Sequence, residues 1–136
     1  MENVFGICTS LCKLKSDAYE RLLAMMSDRM NQDYLEQRDK IKAKYPDASE
    51  NELIRAYIEE EGWCIWDLIT NKINNVEFGK GDYPFYWEQE KLFVRNRIPL
   101  NEYDAPYTLK QVEEILHRWI DPLLEEPVYP TWYSLG

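Results

Sequence analysis

Apolar residues recur at helical spacing in the first third of the chain. They follow Ser16, whose side chain suits a helix N-cap, and they stay near 3.6 residues apart over several turns. The pattern predicts either one helix over about 17–45 or a break near Asn31. The break is an alternative because the stretch DYLE at 33–36 has the form of a capping box. Pro46 ends the segment in both cases.

A second capping box, SENE at 49–52, precedes an apolar face that runs to Ile58. Gly62 supplies the expected stop of this helix, because glycine accepts the left-handed conformation that often follows a last helical turn. The next stretch, WCIWDLITNKIN, has apolar residues at helical spacing beginning with Trp63 and Trp66. It predicts an amphipathic helix whose tryptophans face the core.

Strand patterns appear after this helix. The segments YPFYW at 83–87 and KLFVRNRI at 91–98 are rich in aromatic and β-branched residues and predict an antiparallel hairpin. Pro84 assigns the first strand to a sheet edge, because proline cannot donate to a ladder on that side. Turns are predicted at 74–75, where two asparagines are adjacent, and at 78–82, which contains Gly-Lys-Gly.

The last third contains the clearest helical pattern. A third capping box, TLKQ at 108–111, precedes an apolar stripe, and Pro122 predicts an end near Ile120. Residues 2–12 are compatible with a short strand or with a docked N-terminal turn. The two prolines and three aromatic residues of the last ten positions predict an extended tail along the domain surface.

These elements predict the fold class α+β. We expect a single globular domain over residues 1–136, mainly helical, with a small antiparallel β-hairpin packed on the helices. Hydrophobic residues make up 45% of the chain, which is enough to build a core of this size.

The charge is unevenly distributed. The formal net charge is −9 at pH 7, and residues 46–90 carry 11 acidic and 3 basic side chains. Direct binding to nucleic acid is disfavoured, because phosphate contacts require clustered lysine and arginine. A basic surface of a partner protein fits better, since opposite charge steers association. Solubility alone also accounts for an acidic chain.

Cysteine content and hydropathy indicate the compartment. The 3 cysteines and an N-terminus without a basic signal-peptide region predict reduced thiols in a cytoplasmic protein. No apolar run reaches the roughly 18 residues of a membrane helix, so no membrane association is expected. Cys8 and Cys12 lack the CxxC spacing of common zinc sites, and no metal or cofactor is expected.

Candidate catalytic groups are few. His117 is the only histidine; it follows Glu114 at i+3, but a di-iron site needs a second such pair. Cys64 lies between two tryptophans and lacks a nucleophile motif. The adjacent glutamates 113–114 and 125–126 point in different directions on a helix. A small hydrolase-like enzyme using Cys64, His117 or a glutamate pair is therefore the alternative function.

Two groups of residues are candidates for contact with a partner. Glutamates occupy the last turn of the second predicted helix, where their charge is unfavourable to the helix dipole. The hairpin exposes one face with the composition of an interface hot spot. The candidate partner-binding residues are Glu59, Glu60, Glu61, Tyr86, Phe93, Arg95 and Arg97.

Residues 92–120 read LFVRNRIPLNEYDAPYTLKQVEEILHRWI: a strand ending in Ile-Pro, an acidic extended segment and a Thr-capped helix. This segment resembles small uncharacterised proteins of bacteriophages and prophages. The resemblance implies an accessory protein of a mobile element, a class that includes inhibitors of host defence systems, and it assigns no site residue. We therefore expect a non-enzymatic, acidic protein-binding module that docks on a basic host protein surface.

Overall fold

The computed structural model describes the backbone of residues 2–9, 13–78, 85–88, 91–96, 109–127 and 131–135. It describes side chains for residues 13–78, 85–87, 110–111 and 113–127. The helices are α1 Ala18–Met25, α2 Asp28–Lys44, α3 Glu50–Glu60, α4 Ile65–Ile73 and α5 Leu109–Trp119. A π-helical turn, Asn74–Phe78, extends α4, and a 3-10 turn, Asp121–Leu123, follows α5.

The predicted α+β class is wrong. Among the residues whose side chains are described, 72% are helical, in five helices, with one short strand and no sheet. The apolar stripes of the helices bury one another, so the hydrophobic core is formed by α1 to α5 and the 3-10 turn. Among the buried side chains that the structure describes, one belongs to a strand: Phe85, which is 1% exposed. The expected second layer, a hairpin packed on the helices, does not form the core.

Four strand segments are described at the level of the backbone. They are β1 Glu2–Thr9, β2 Phe85–Glu88, β3 Lys91–Asn96 and β4 Thr131–Leu135, paired antiparallel in the order β2-β3-β1-β4. Residues 2–9 are therefore extended, and so is the tail at 131–135. The strand β2 lies at an edge of this order, whereas Pro84 itself lies outside the described residues.

The first helical segment is divided at Ser27, so the single helix over 17–45 is wrong. The alternative prediction of two helices is confirmed, but the break lies at Ser27 and not near Asn31. The Ser27 hydroxyl accepts a hydrogen bond from the Met30 N–H at 3.2 Å and caps α2. The Asn31 amide then donates to the carbonyls of Leu23, at 2.9 Å, and Ser27, at 3.0 Å. Asn31 thus satisfies a carbonyl at the end of α1 instead of breaking the helix.

The predicted boundaries of α3 are confirmed. Ser49 accepts from the Glu52 N–H at 3.2 Å, and Gly62 has a φ of 78°. The Gly62 N–H donates to the Glu59 carbonyl, and the Trp63 N–H donates to the Ile58 carbonyl, both at 3.0 Å. These two bonds form a Schellman motif, which requires the left-handed backbone at Gly62.

The two tryptophans after Gly62 have different environments. Trp66 is 6% exposed and stacks on Trp87, with ring centroids 5.3 Å apart and planes 10° apart. Trp63 is 39% exposed, so the prediction that it faces the core is wrong. The reason is local: the chain turns at Gly62 and α4 begins only at Ile65, which leaves Trp63 outside the helix.

Asn74 joins α4 to the strand β2. The predicted turn at 74–75 is wrong, because the helix continues as a π-helical turn and Asn74 is 2% exposed. Its side-chain nitrogen donates to the Phe85 carbonyl at 2.8 Å, and its oxygen accepts from the Phe85 N–H at 3.0 Å. One amide side chain thereby forms hydrogen bonds with both buried backbone groups of Phe85. The turn predicted at 78–82 lies, beyond Phe78, outside the described residues.

The helix α5 matches its prediction in extent. It ends at Trp119, one residue from the expected end, and Pro122 lies in the 3-10 turn that follows. The residue predicted to cap it, Thr108, lies outside the described residues. Glu77 of the π-helical turn accepts hydrogen bonds from Arg118 and, at 2.7 Å, from the indole N–H of Trp119. In the described part of the chain, no helix is long and apolar enough to cross a membrane.

The helices α2 and α3 are joined by a charged cluster around Glu50. Its carboxylate accepts two hydrogen bonds from Arg38 Nε, at 3.1 Å, one from Arg38 Nη2 at 2.7 Å, and one from the Tyr34 hydroxyl at 2.5 Å. The Arg38 hydrogen bonds are the main cause that lowers the pKa of Glu50, and the Tyr34 hydrogen bond adds to it.

Replacing Asn74 by alanine should destabilise the protein by about 2–4 kcal/mol, because the Phe85 N–H and C=O would be left buried without partners. The matched control is Asn75→Ala at the exposed neighbour, which should stay within about 0.5 kcal/mol of the parent. Urea unfolding followed by circular dichroism measures both. Equal midpoints for the two variants would contradict the role of Asn74.

Replacing Glu50 by glutamine should destabilise the protein in a pH-dependent way. The folded pKa of Glu50 is depressed, so its contribution is present above the ordinary carboxyl pKa and is lost as pH falls through the folded value. The difference in urea midpoint between parent and Glu50→Gln should therefore be largest near neutral pH and shrink below about pH 4. The control Glu20→Gln, at an exposed glutamate of α1, should change the urea midpoint less than Glu50→Gln near neutral pH. A pH-independent difference at Glu50 would argue against the ion pair.

Candidate functional site

A concave surface lies between α2 and the turn from α3 to α4, and we call it the acidic groove. Its volume is about 720 Å³. Its walls carry three carboxylates, one guanidinium and several apolar side chains, so its formal charge is negative. Its lining includes Arg29, Met30, Asp33, Glu36, Tyr57, Glu61, Trp63 and Leu68.

The helical repeat of α2 supplies one wall. Met30, Asp33 and Glu36 are spaced three residues apart, which places them along one side of the helix. The opposite wall comes from the α3–α4 turn, where the backbone at Gly62 directs Trp63 away from the core. The groove therefore combines a carboxylate-bearing helix face with an exposed indole.

Gln37 holds two of the carboxylates close to each other. Its side-chain nitrogen donates to Asp33 Oδ2 and to Glu61 Oε1, both at 3.1 Å. The two oxygens are thus separated by no more than twice that distance, although the residues belong to different helical segments. Two carboxylates at this separation repel each other, and a neutral amide offsets only part of that repulsion.

Tyr57 lies beneath the same pair. Its hydroxyl donates to Asp33 Oδ2 at 2.6 Å, and its ring packs nearly perpendicular to that of Trp63, with the centroids 5.9 Å apart and an angle of 85° between the planes. Burial is the largest cause that raises the pKa of Tyr57, followed by the Asp33 hydrogen bond and the charges of Asp33 and Glu61. The phenol therefore remains a proton donor, and it fixes the orientation of Asp33.

The structure does not gather the three adjacent glutamates at one site. Glu59 pairs with Arg55 at 2.9 Å and lines a separate cavity of about 560 Å³. Glu60 pairs with Lys44 at 3.3 Å, and only Glu61 reaches the acidic groove. The first two are exposed ion pairs, which stabilise a fold by little.

The other predicted contact residues are described only in part. Tyr86 is half-buried in β2, and its backbone lies opposite Phe93 of β3. Arg95 lies opposite Val4 of β1. The side chains of Phe93, Arg95 and Arg97 lie outside the described residues, so the proposed aromatic and basic contact face stays a prediction.

The candidate catalytic residues do not come together at either cavity. His117 is exposed in the last turn of α5, and its Nδ1 lies 2.5 Å from Asp121 Oδ2. Cys64 is a half-buried free thiol at the start of α4. Neither residue lines the acidic groove or the second cavity. Among the described residues no group of three His, Cys, Asp or Glu side chains could hold a metal ion.

The sequence interpretation identified Glu61 but missed three features of the groove. Asp33 and Glu36 were interpreted as a capping box, and Trp63 was assigned to the core. A signal for the groove was present in the i, i+3 spacing of Asp33 and Glu36. Gln37 and Glu61 are 24 positions apart in the sequence, and local sequence patterns do not predict contacts over this separation.

Replacing Gln37 by alanine should cost about 1 kcal/mol at low ionic strength, because Asp33 and Glu61 would lose the donor they share. Salt screens repulsion between the carboxylates, so the cost should decrease at about 0.5 M NaCl. Urea unfolding at both salt concentrations measures it, with Gln32→Ala on the same helix as control. A cost that is the same at both concentrations would show that the amide does not offset carboxylate repulsion.

The chain matches no protein-family model, no curated protein and no solved structure.

Proposed function

We propose that the protein is a non-enzymatic binding module that docks on a basic surface of a partner protein through the acidic groove. The observation that carries this proposal is the convergence of Asp33 and Glu61, within reach of one Gln37 nitrogen, beside an exposed tryptophan. Carboxylates supply attraction to a basic surface, and a tryptophan supplies the apolar contact area typical of interface hot spots.

The charge of the whole chain supports the same partner class. With a net charge of −9, the protein attracts a basic partner over a distance and repels nucleic acid, whose phosphates are negative. The groove itself is also negatively charged, because it contains three carboxylates and one guanidinium, that of Arg29. We accordingly propose no direct contact with nucleic acid.

The resemblance of residues 92–120 to bacteriophage and prophage proteins extends the proposal. The partner would then be a host protein, and the module would act on it as an inhibitor or an accessory protein. The proposal also places the protein in the cytoplasm, where its 3 cysteines would remain reduced.

The alternative, a small enzyme, has less support. It required a concave site with His117 beside a cysteine or a carboxylate. His117 does contact a carboxylate, that of Asp121, but the histidine is exposed on α5 and lines neither cavity. We therefore propose no reaction for it.

Charge neutralisation at the groove tests the proposal. The probe is a fluorescent synthetic peptide of about 12 residues in which arginine and lysine alternate with glycine and serine. The double variant Glu36→Gln with Glu61→Gln should weaken binding of the peptide about fivefold or more, since two negative charges that line the groove are lost. Fluorescence anisotropy at several salt concentrations measures the affinity, and the salt dependence should flatten.

The matched control is Glu125→Gln with Glu126→Gln, which removes the same charge at two exposed residues outside the groove. This pair should change affinity by less than about twofold. If both double variants weaken binding equally, the peptide responds only to net charge, and the acidic groove is not the docking site.

A further inference from the structure

We propose that the acidic groove accepts one arginine side chain of the partner, with its guanidinium between the indole of Trp63 and the carboxylates of Asp33 and Glu61. This inference rests on the proposed function and specifies the group that is recognised. The carboxylates of the groove match the positive charge of a guanidinium, and the indole ring matches its planar shape.

The charge of the groove favours a cation. Asp33 and Glu61 converge on the Gln37 nitrogen, and Glu36 adds a third carboxylate along the same helix. Arg29 lines the same groove, yet one guanidinium leaves an excess of negative charge among these side chains. A cationic side chain from a partner would reduce the remaining repulsion.

The geometry favours arginine over lysine. A guanidinium is planar and carries five donors, so it can donate to two separate carboxylates while its face stacks on an aromatic ring. Trp63 supplies that ring, since it is 39% exposed and packs in a T-shaped arrangement with Tyr57. A lysine ammonium is a compact, strongly hydrated charge that gains less from a flat ring and a pair of separated acceptors.

The side chains that would contact the arginine are already held in position without it. Tyr57 orients Asp33, Gln37 positions Glu61 beside it, and the Schellman motif fixes the backbone before Trp63. Met30 and Leu68 provide apolar surface for the methylene stem of an arginine. Because these groups are already held, little ordering cost opposes the contact.

A titration with short peptides tests the inference. The probes are acetyl-Gly-Arg-Gly-amide, its lysine counterpart and its citrulline counterpart, which keeps the planar shape without the charge. The resonance of the Trp63 indole N–H, identified by its loss in Trp63→Phe, should shift saturably with the arginine peptide in a 1H–15N NMR spectrum. We expect binding at least about threefold weaker for lysine and about tenfold weaker for citrulline.

Variants separate the contributions of charge and ring. Glu61→Gln and Trp63→Leu should each reduce the affinity for the arginine peptide by about threefold or more, whereas Glu125→Gln should leave it unchanged. Dispersed spectra of the free variants verify that they fold. Equal shifts with arginine and citrulline, equal affinities for arginine and lysine, or shifts confined to residues outside the groove would each overturn the inference.

Failure of this inference is distinguishable from failure of the proposed function. If the tripeptides fail while the longer basic peptide still separates the Glu36/Glu61 variant from the Glu125/Glu126 variant, docking stands and the arginine site is overturned. If neither probe distinguishes the groove from the control positions, both proposals are overturned.

Discussion

The helices α2 and α3 are held against each other by two phenolic hydroxyls that donate to carboxylates. Tyr34 donates to Glu50, which Arg38 also holds, and Tyr57 donates to Asp33. Both phenols are buried at the ring and polar at the tip, so the same residues fill the core and fix charged groups at its rim. The acidic groove exists because this helix pair is fixed, since one wall comes from α2 and the other from the end of α3.

Specific polar and aromatic contacts add to the shared apolar core and join α4 and its π-helical turn to their neighbours. Asn74 satisfies both backbone groups of Phe85, and Trp66 stacks on Trp87, so β2 is joined to α4 by an amide and by a ring pair. Glu77 similarly joins the π-helical turn to α5. The segment predicted as a turn between a helix and a hairpin is thus a structural junction of the helical core.

The sequence predicted those elements whose determinants are local. Ser49, Gly62 and the apolar stripe of α5 were interpreted correctly, because caps and periodicity act within a few residues. The exposure of Trp63, the burial of Asn74 and the position of the groove depend on contacts between distant segments. The same limit explains the error in fold class: strand composition was visible between 83 and 98, but the sequence did not reveal that the helices bury one another.

The turn at Gly62 is selective for handedness rather than for size. A Cβ built at this position meets nothing within 4 Å, whereas the φ of 78° is one that L-residues seldom adopt. A mirror-image residue such as D-alanine, introduced by chemical synthesis, would occupy this space in a relaxed geometry and restrict the unfolded chain. The handedness of a side chain at this position would therefore determine whether the left-handed turn before Trp63 forms without strain.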